Sequence, residues 1–375
     1  MFQPSQPLVI APSAQAEVIA GWSDASTSAQ VASAKRAFTT RGVKFDGPVV
    51  LITDRSPQAG DLVLARVTSL GHHQKLELPD GRRAQMYEDD LIFVAYGERY
   101  APDQFEAVIP EHLGPCDLVA SGGVAGKVLS RHARARQPTT IRPLGLLANA
   151  AGEVLNLSRF SLPKRALPAK RPRVIAVAGT SMNAGKTTAA AALIHGLTRA
   201  GLHVAAAKVT GTGSGNDYWS MLDAGARQVL DFTDMGYAST AGLSPETVER
   251  TALSLTAHCA SNAPDVIVLE VADGLLQRET ATLLSSGAFR NAVDGVLFAA
   301  ADAISALSGR QWLMDHGHPV VGVSGLITAS PLASREAGSA IGEPLVTVAE
   351  LRDPTRARTL AWATNRTSRN LRVCG

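Results

Sequence analysis

Residues 174–188 read VIAVAGTSMNAGKTT, and this stretch decides the fold of the chain. Its first five residues are small or β-branched and apolar, which is typical of a buried parallel strand. A turn bounded by Gly179 and Gly185 follows, and the apolar run that continues to Leu197 is rich in strong helix formers. The order of strand, glycine turn and helix predicts a phosphate-binding loop, because a turn around an anion must expose successive backbone N–H groups.

The chemistry of such a loop gives its residues distinct roles. Lys186 reaches the β- and γ-phosphates of a nucleotide, and the Thr187 hydroxyl ligates the Mg²⁺ that accompanies them. The loop is one residue longer than the usual Gly-x-x-x-x-Gly-Lys-Thr pattern when counted from Gly179, and Thr180 stands where the first glycine would be. The predicted nucleotide-binding residues are Gly179, Thr180, Asn183, Ala184, Gly185, Lys186, Thr187 and Thr188.

Composition limits the class of protein. The chain has 375 residues, which exceeds the size at which single cores stop growing, so we expect two domains. Apolar residues at 45% and charged residues at 18% are typical of a soluble globular protein, and a net charge of +3 is too small to favour a nucleic-acid partner. No apolar run reaches the length of about 18 residues that a membrane span needs, and the N-terminus lacks a secretory pattern. We therefore expect a cytoplasmic protein without a membrane partner.

Changes in composition along the chain predict five segments. A basic, proline-rich stretch separates a region of short β-type runs from a region in which strand and helix patterns alternate. The predicted segments are an N-terminal extension at 1–46, a mostly-β domain at 47–160, a linker at 161–173, a P-loop α/β domain at 174–350 and a basic C-terminal tail at 351–375.

The mostly-β domain carries little chemistry in its sequence. Asp80-Gly81 lies between two β-type runs and predicts a hairpin turn, and the succession of short runs predicts a small barrel. His72 and His73 fall beside a predicted strand, where adjacent side chains point to opposite faces and cannot chelate a metal together. The Gly126-Lys127 pair imitates a phosphate loop, but no Ser or Thr follows it and no helix pattern begins there, so we predict a bent strand.

The alternation of strands and helices beyond residue 173 predicts a fold of the α/β class. We expect a mostly parallel P-loop NTPase sheet flanked by helices, preceded by the smaller, barrel-like β domain. Ligands of such sheets gather at the carboxyl ends of the strands. The predicted strands are 174–178, 203–208, 228–230, 266–271, 295–299, 320–323 and 345–348, and the predicted helices are 186–200, 218–224, 245–261, 279–286, 303–316 and 332–337.

Charged residues follow the second and fourth of these strands. Lys208 opens a loop of glycines and hydroxyl residues that ends at Asp217, and Glu270 ends the fourth strand, where P-loop proteins place an acid that holds Mg²⁺. A lysine at the end of a buried strand is costly unless an anion meets it. That anion is either a substrate or, in the alternative interpretation, the carboxylate of Asp217 or Glu270.

These residues together resemble dethiobiotin synthetase, including the extra residue in the phosphate loop. The resemblance covers about residues 174–348 and implies that Lys186 and Lys208 are catalytic, with Lys208 facing the carbamate or acyl phosphate of the substrate. It also implies a magnesium site formed by Thr187, Asp217 and Glu270. The predicted substrate residues are Lys208, Thr210, Gly211, Thr212, Gly213, Ser214 and Asp273. We expect a homodimer.

The same segments are similar to two further groups of the superfamily. The loop at 210–213 and the Leu-Leu-Ser-Ser-Gly segment at 283–287 resemble an uncharacterised branch that contains a D-glutamate N-acetyltransferase. The residues at 216–217 and 223–230 resemble the molybdopterin-guanine-dinucleotide accessory GTPases. Two departures stand out: the synthetase's Glu-Gly-Ala-Gly-Gly turn is Glu-Val-Ala-Asp-Gly from Glu270 onward, and Ser181 stands where partition-type ATPases carry a lysine.

The residues and the resemblance together predict an enzyme that uses Mg²⁺ and ATP. It would phosphorylate a carboxylate or carbamate of a small anionic molecule, and an amine would capture the activated group in ligase or cyclase chemistry. One alternative is an N-acyltransferase whose loop holds the diphosphate of acetyl-CoA or another acyl-CoA. A second alternative is a nucleotide-dependent switch or assembly factor whose β domain docks a client protein.

Overall fold

The computed structural model describes residues 24–363. The predicted N-terminal extension up to residue 23 and the predicted tail from residue 364 lie outside the described residues. Within 24–363, no helix combines the length and the apolar composition needed to cross a membrane. The described N-terminal half forms a nine-stranded sheet and a separate two-stranded sheet, and the described C-terminal half forms a six-stranded sheet.

The N-terminal half begins with a helix and continues as short strands. Its elements are α1 Asp24–Ser33, β1 Lys35–Arg36, β2 Val49–Ile52, β3 Leu62–Ser69, β4 Lys75–Glu77, β5 Arg83–Gln85, β6 Leu91–Tyr96, β7 Arg99–Tyr100, β8 Phe105–Val108, β9 Cys116–Ala120, β10 Val124–Arg131 and β11 Thr139–Asn149. Strands β4 and β5 form the predicted hairpin, in which Gly81 has a φ of 87°. Lys127 lies within β10, so a strand and not a phosphate loop forms there.

The other nine strands form a barrel. Their order is β1-β6-β3-β11-β9-β10-β8-β7, with β2 paired to β11, and a further pairing between β6 and β10 closes the ring β6-β3-β11-β9-β10. The alternation of apolar residues along these strands fills the interior, where Val63, Ile92, Val94, Leu118 and Leu146 are fully buried in one cluster. The barrel-like β domain is thereby confirmed, and we call these nine strands the barrel.

The C-terminal half, which we call the α/β unit, alternates strands and helices. Its elements are β12 Arg173–Gly179, α2 Lys186–Arg199, β13 Val204–Lys208, α3 Gly215–Asp223, β14 Gln228–Asp231, α4 Pro245–Ala260, β15 Val266–Glu270, α5 Arg278–Ser285, α6 Gly287–Ala292, β16 Gly295–Ala299, α7 Ala303–Asp315, β17 Val320–Ser324, α8 Pro331–Ile341, α9 Val348–Arg352 and α10 Pro354–Ala361. The strand order is β14-β13-β15-β12-β16-β17, and every pairing is parallel. This is the predicted P-loop sheet, with the phosphate-loop strand β12 at its centre.

Helices cover both faces of this sheet, which explains the continuous apolar strands. Ala176 and Ala178 of β12 pack into the cluster beneath α4, α5 and α7, whereas Ile175 and Val177 pack beneath α2, α9 and α10. The register pairs Lys208 of β13 with Glu270 of β15, and Glu270 in turn with Val177 of β12. The carboxyl ends of three central strands therefore meet at one edge.

Two predictions about the C-terminal region are wrong. Residues 345–348 do not form a strand, because Pro344 has no N–H to donate and Thr347 instead caps α9 through a capping box with Glu350. Residues 351–361 are not a tail, since they form the end of α9 and all of α10. Leu351 and Ala357 are fully buried against α2.

The barrel and the α/β unit make close contact. The guanidinium of Arg41, from the N-terminal half, donates hydrogen bonds to Asp231 at 3.0 Å and Asp234 at 2.7 Å, and it lies 4.1 Å from the Phe38 ring. Gly122, in the turn before β10, packs so closely on Gly213 that a Cβ there would lie 2.1 Å from the Gly213 carbonyl oxygen. These contacts set the barrel against the carboxyl edge of the parallel sheet.

Candidate functional site

The phosphate loop leaves the start of a helix without a side-chain cap. Strand β12 ends at Gly179, and α2 begins at Lys186. The N-cap residue is Gly185, whose φ of 93° lies in the left-handed region and whose lack of a side chain provides no cap. Backbone N–H groups of the first turn thus remain for an anion, which is the arrangement that binds phosphate.

Lys186 is held inside its own loop. Only 4% of the residue is exposed, and its Nζ donates to the Ser181 carbonyl oxygen at 2.6 Å. Burial lowers the pKa of Lys186, although the nearby carboxylates of Glu270 and Asp273 oppose that effect. An ammonium group held by a carbonyl at the mouth of the loop is in position to exchange that contact for a phosphate oxygen.

The three residues predicted to hold magnesium lie together. The Thr187 hydroxyl oxygen is 2.9 Å from Asp217 Oδ1 and 2.7 Å from Glu270 Oε1. One hydroxyl hydrogen cannot be donated to two ionised carboxylates at once. Burial, followed by repulsion from Asp217, raises the pKa of Glu270 to about 7, so a proton on Glu270 can complete the second contact.

The chemistry of this oxygen cluster fits a hard cation. The second carboxylate oxygen of Glu270, Oε2, is buried and has no hydrogen-bond partner in the described part of the chain. No group of three His, Cys, Asp or Glu side chains able to hold a metal occurs within residues 24–363. A Mg²⁺ ion here would therefore use oxygen atoms of Thr187, Asp217 and Glu270, and phosphate or water oxygens would complete its coordination, as this ion prefers.

Lys208 forms an ion pair with Asp217 in the structure, as the alternative interpretation proposed. The lysine is 6% exposed, and its Nζ donates to Asp217 Oδ2. Burial lowers the pKa of Lys208, but the carboxylates of Asp217 and Glu270 outweigh it and the net pKa is raised. Burial raises the pKa of Asp217, yet Lys208 outweighs it and the net pKa is lowered. Lys208 thus keeps one predicted metal ligand ionised.

The residues predicted to hold the substrate divide into two sets. Gly211, Thr212, Ser214 and Asp273 line a cavity of about 330 Å³ that also contains Lys186 and Lys208. Thr210 and Gly213 do not line this cavity, and both make contacts elsewhere. The buried Thr210 hydroxyl accepts the Ala272 N–H at 2.9 Å, and Gly213 packs beneath Gly122.

The opposite wall of the cavity comes from the N-terminal half, which the sequence analysis missed. The residues contributed there include His73, Arg99, Tyr100, Gln104 and Ser121. No spacing or motif marks them, because they lie on separate turns and on a strand of two residues. Arg99 is flanked by Glu98 and Tyr100 and lies near Asp103, so its charge is not conspicuous in the sequence.

The prediction that the two adjacent histidine side chains point to opposite faces of a strand is wrong. His72 and His73 lie in a bend before β4, and their ring centroids are 4.9 Å apart. Burial, with a further effect of Arg99, lowers the pKa of His73 to about 3, so this ring is neutral at physiological pH. His73 Nε2 lies 3.1 Å from the Val119 carbonyl oxygen.

Glu77, at the end of β4, caps the helix that carries Asp217. Ser214 precedes α3 but makes no side-chain cap; instead its hydroxyl donates to Glu77 Oε2 at 3.0 Å. The Gly215 N–H donates to the same oxygen at 2.8 Å. A carboxylate at a helix start also complements the helix dipole. The N-terminal half therefore fixes the first turn of α3, on which Asp217 lies.

Replacing Glu77 by alanine is expected to destabilise the protein and the metal site together. Two donors at the start of α3 lose their acceptor, which costs about 1–2 kcal/mol as for other helix caps. Thermal unfolding should show a Tm lower by a few degrees, and titration with Mg²⁺ and ATP should show weaker stabilisation. Glu88→Ala, at an exposed position of the same half, is the matched control. If Glu77→Ala and Glu88→Ala had the same Tm and the same stabilisation by Mg²⁺ and ATP, the capping role of Glu77 would be contradicted.

Comparisons with known proteins find similarity of fold over about half of the chain. No family model matches the sequence, and no curated protein matches it. Among solved structures, the cell division protein FtsY from Thermotoga maritima is 16% identical, with 54% of this chain and 73% of that chain covered and a TM-score of 0.34. The septum site-determining protein MinD from Pyrococcus horikoshii, complexed with Mg-ADP, is 15% identical, with 51% and 94% covered and a TM-score of 0.34. A DUF1611 family protein from Anabaena variabilis is 16% identical, with 53% and 62% covered and a TM-score of 0.36.

Proposed function

We propose that this chain is a Mg²⁺- and ATP-dependent enzyme that phosphorylates a carboxylate or carbamate of a small anionic molecule. The activated group is then captured by an amine, which is ligase or cyclase chemistry of the kind that dethiobiotin synthetase performs. The proposal requires the nucleotide to lie on the phosphate loop with its γ-phosphate in the cavity, and the acceptor to lie between that phosphate and the N-terminal half.

One observation carries the proposal. One carboxylate oxygen each from Asp217 and Glu270 lies within 2.9 Å of the Thr187 hydroxyl oxygen. These three side chains line the cavity together with the buried Lys208. Carboxylates are not placed this close without a proton or a cation between them. Thr187, Asp217 and Glu270 would hold Mg²⁺, which would supply positive charge to neutralise the charge that develops during transfer.

The residues of the chain contribute positioning and electrostatic stabilisation. Lys186 donates to the γ-phosphate oxygens, and the backbone N–H groups at the start of α2 hold the remaining phosphate charge. Lys208 keeps Asp217 ionised and adds a second positive charge to the cavity wall. The bond between the γ-phosphorus and the β,γ-bridging oxygen breaks while an acceptor oxygen bonds to that phosphorus, and ADP leaves.

The contact between the two halves supports transfer to a bound molecule over transfer to water. Residues of the N-terminal half and of the α/β unit line the same cavity, so a small acceptor there is partly shielded from solvent. A cavity of about 330 Å³ is in the range of small-molecule sites. A nucleotide switch with a protein client does not need charged side chains from both halves to line one cavity. Their presence there favours an enzyme with a small substrate.

The experiment that tests the proposal is a thermal-shift screen of the full chain with ATP, GTP and acetyl-CoA, each with Mg²⁺ and with EDTA. We expect ATP with Mg²⁺ to raise the Tm and EDTA to remove the increase. Phosphate-transfer activity is then measured as ADP release while carboxylic acids are offered as acceptors. A stronger shift by acetyl-CoA that survives EDTA would instead support the acyltransferase. ADP release that no small acceptor increases, but that a protein partner stimulates, would support the switch.

A further inference from the structure

Arg99 of β7 is a buried cation without an ionic partner. It is 9% exposed, and its guanidinium donates to the Val119 carbonyl oxygen and, at 2.7 Å, to the amide oxygen of Gln104. Its Nε–H has no hydrogen-bond partner among residues 24–363. None of the ion pairs found within residues 24–363 includes Arg99.

The nearby carboxylates do not neutralise this charge by direct contact. Burial lowers the pKa of Arg99 to about 10, and Asp273 and Glu77 oppose that effect only from beyond ion-pair distance. Glu77 is already engaged by Ser214 and Gly215. Arg99 is still protonated at neutral pH, and burial of an uncompensated charge is unfavourable. Such a residue is retained in a fold where an anion meets it.

We propose that Arg99 binds an oxyanion of the ligand in the cavity, opposite the phosphate loop. The planar guanidinium presents paired N–H groups that match a carboxylate or a phosphate. Two sources can supply that group: a second carboxylate of the acceptor, or the γ-phosphate of the nucleotide. This inference rests on the proposed function for the identity of its ligand, but the site itself does not depend on that function.

The positions of Arg99 and of the phosphate loop favour the acceptor as the source of the oxyanion that Arg99 binds. The phosphate loop and Lys186 provide the donors for the nucleotide phosphates, whereas Arg99 comes from the N-terminal half. An acceptor that spans the cavity would be phosphorylated at one end and held by Arg99 at the other. The substrate class is then a small molecule with two acidic groups.

Gln104 positions the guanidinium and offers a second way to test the site. Its amide oxygen accepts from Arg99 Nη2, and the residue is only half-buried, so a change there is tolerated by the fold. Replacing Gln104 by glutamate keeps the shape and places a carboxylate on Arg99. That internal anion competes with a ligand anion without removal of the arginine.

The experiment measures the thermal shift of the full chain with two pairs of ligands. The first pair is ADP and AMP-PNP, both with Mg²⁺. The second pair is butyrate and a dicarboxylate, either succinate or glutarate. Arg99→Gln and Gln104→Glu are compared with the wild type and with Arg134→Gln, an exposed control in the same half. We expect the dicarboxylates to stabilise the wild type more than butyrate does. Both test variants should lose that difference through an affinity lower by about 30-fold or more, as expected for loss of a buried charge partner.

The outcomes separate the sources and the two proposals. Loss of the dicarboxylate effect identifies the acceptor as the source, and loss of the AMP-PNP effect over ADP identifies the γ-phosphate. If Arg99→Gln does not fold, Gln104→Glu decides. The role of Arg99 is overturned if both variants keep the extra stabilisation by dicarboxylates and by AMP-PNP. It is also overturned if the wild type shows neither. A wild type that binds dicarboxylates but no nucleotide would overturn the proposed function and leave the Arg99 site standing.

Discussion

Replacing Lys186 by alanine will remove most of the nucleotide-dependent activity while the fold persists. In the proposed function, the lysine supplies the mobile charge that follows the γ-phosphate into the transition state, and loss of one such donor lowers turnover by about 100- to 1,000-fold, or roughly 3–4 kcal/mol. The free protein loses little, because the Lys186 ammonium contacts carbonyls of its own loop and burial already disfavours its charge. Activity is measured as ADP release, and folding by thermal unfolding without nucleotide.

The chain contains a matched control for this variant. Gly126-Lys127 repeats the Gly-Lys pair of the phosphate loop, but it lies on β10 with the lysine exposed. Lys127→Ala removes the same side chain and the same charge and should leave ADP release unchanged. Turnover near the wild-type rate in Lys186→Ala would disprove the assignment of the phosphate loop.

Replacing Glu270 by glutamine will raise the stability of the free protein and weaken its response to Mg²⁺. Glutamine is close in shape and neutral, so the buried site no longer holds a carboxylate whose ionisation is disfavoured. The gain should be about 1–3 kcal/mol at pH 8. The apparent affinity for Mg²⁺ in the presence of ATP should fall by about 10- to 100-fold, since a charged ligand is lost.

The sign of the stability effect follows from proton binding. The folded-state pKa of Glu270 is raised to about 7 from an ordinary value of 4.5, so between these values the folded protein binds more protons than the unfolded chain. The free energy of unfolding of the wild type therefore falls as pH rises from about 4.5 to 7 through this group, and then levels. Glutamine lacks this dependence. The two proteins should thus be equally stable near pH 4.5 and differ most above pH 7.

Denaturant unfolding of both proteins across this pH range, in EDTA, measures the difference. Asp315→Asn is a suitable control, because Asp315 is an acid at the end of α7 whose side chain contacts only Gln311. A Glu270→Gln protein that is less stable than the wild type at pH 8 would show that the carboxylate is held by contacts other than those described.

Local sequence was sufficient to predict the six parallel strands of the α/β unit and the charged residues at their carboxyl ends. The strand, turn and helix around Gly179 and Gly185 specify their own conformation, since glycine, β-branched and helix-forming residues act over a few neighbours. Parallel strands then align their carboxyl ends, so Lys208 and Glu270 were placed at one edge without any further information. Whether Lys208 meets a substrate or Asp217 could not be decided, because that choice depends on side-chain packing.

The wall contributed by the N-terminal half could not be predicted from local patterns. Glu77 contacts Ser214 and Gly215 across 137 and 138 residues of sequence, and no periodicity encodes a contact of that separation. Arg99 lies on a strand of two residues, which is too short to give an alternating pattern. The helix at Pro354–Ala361 is not evident from its sequence because Arg356 and Arg358 are interspersed with the few apolar residues that pack on α2.

Closure of the ring β6-β3-β11-β9-β10 has a consequence for the order in which the protein is assembled during synthesis. All five strands lie between residues 62 and 149, so every residue of that ring leaves the ribosome before any residue of β12 does. The closed ring therefore has no exposed strand edge that could pair with another chain while the second half is translated. The later-made parallel strands, whose contacts span long sequence distances, can then collapse against a surface that already has its final shape.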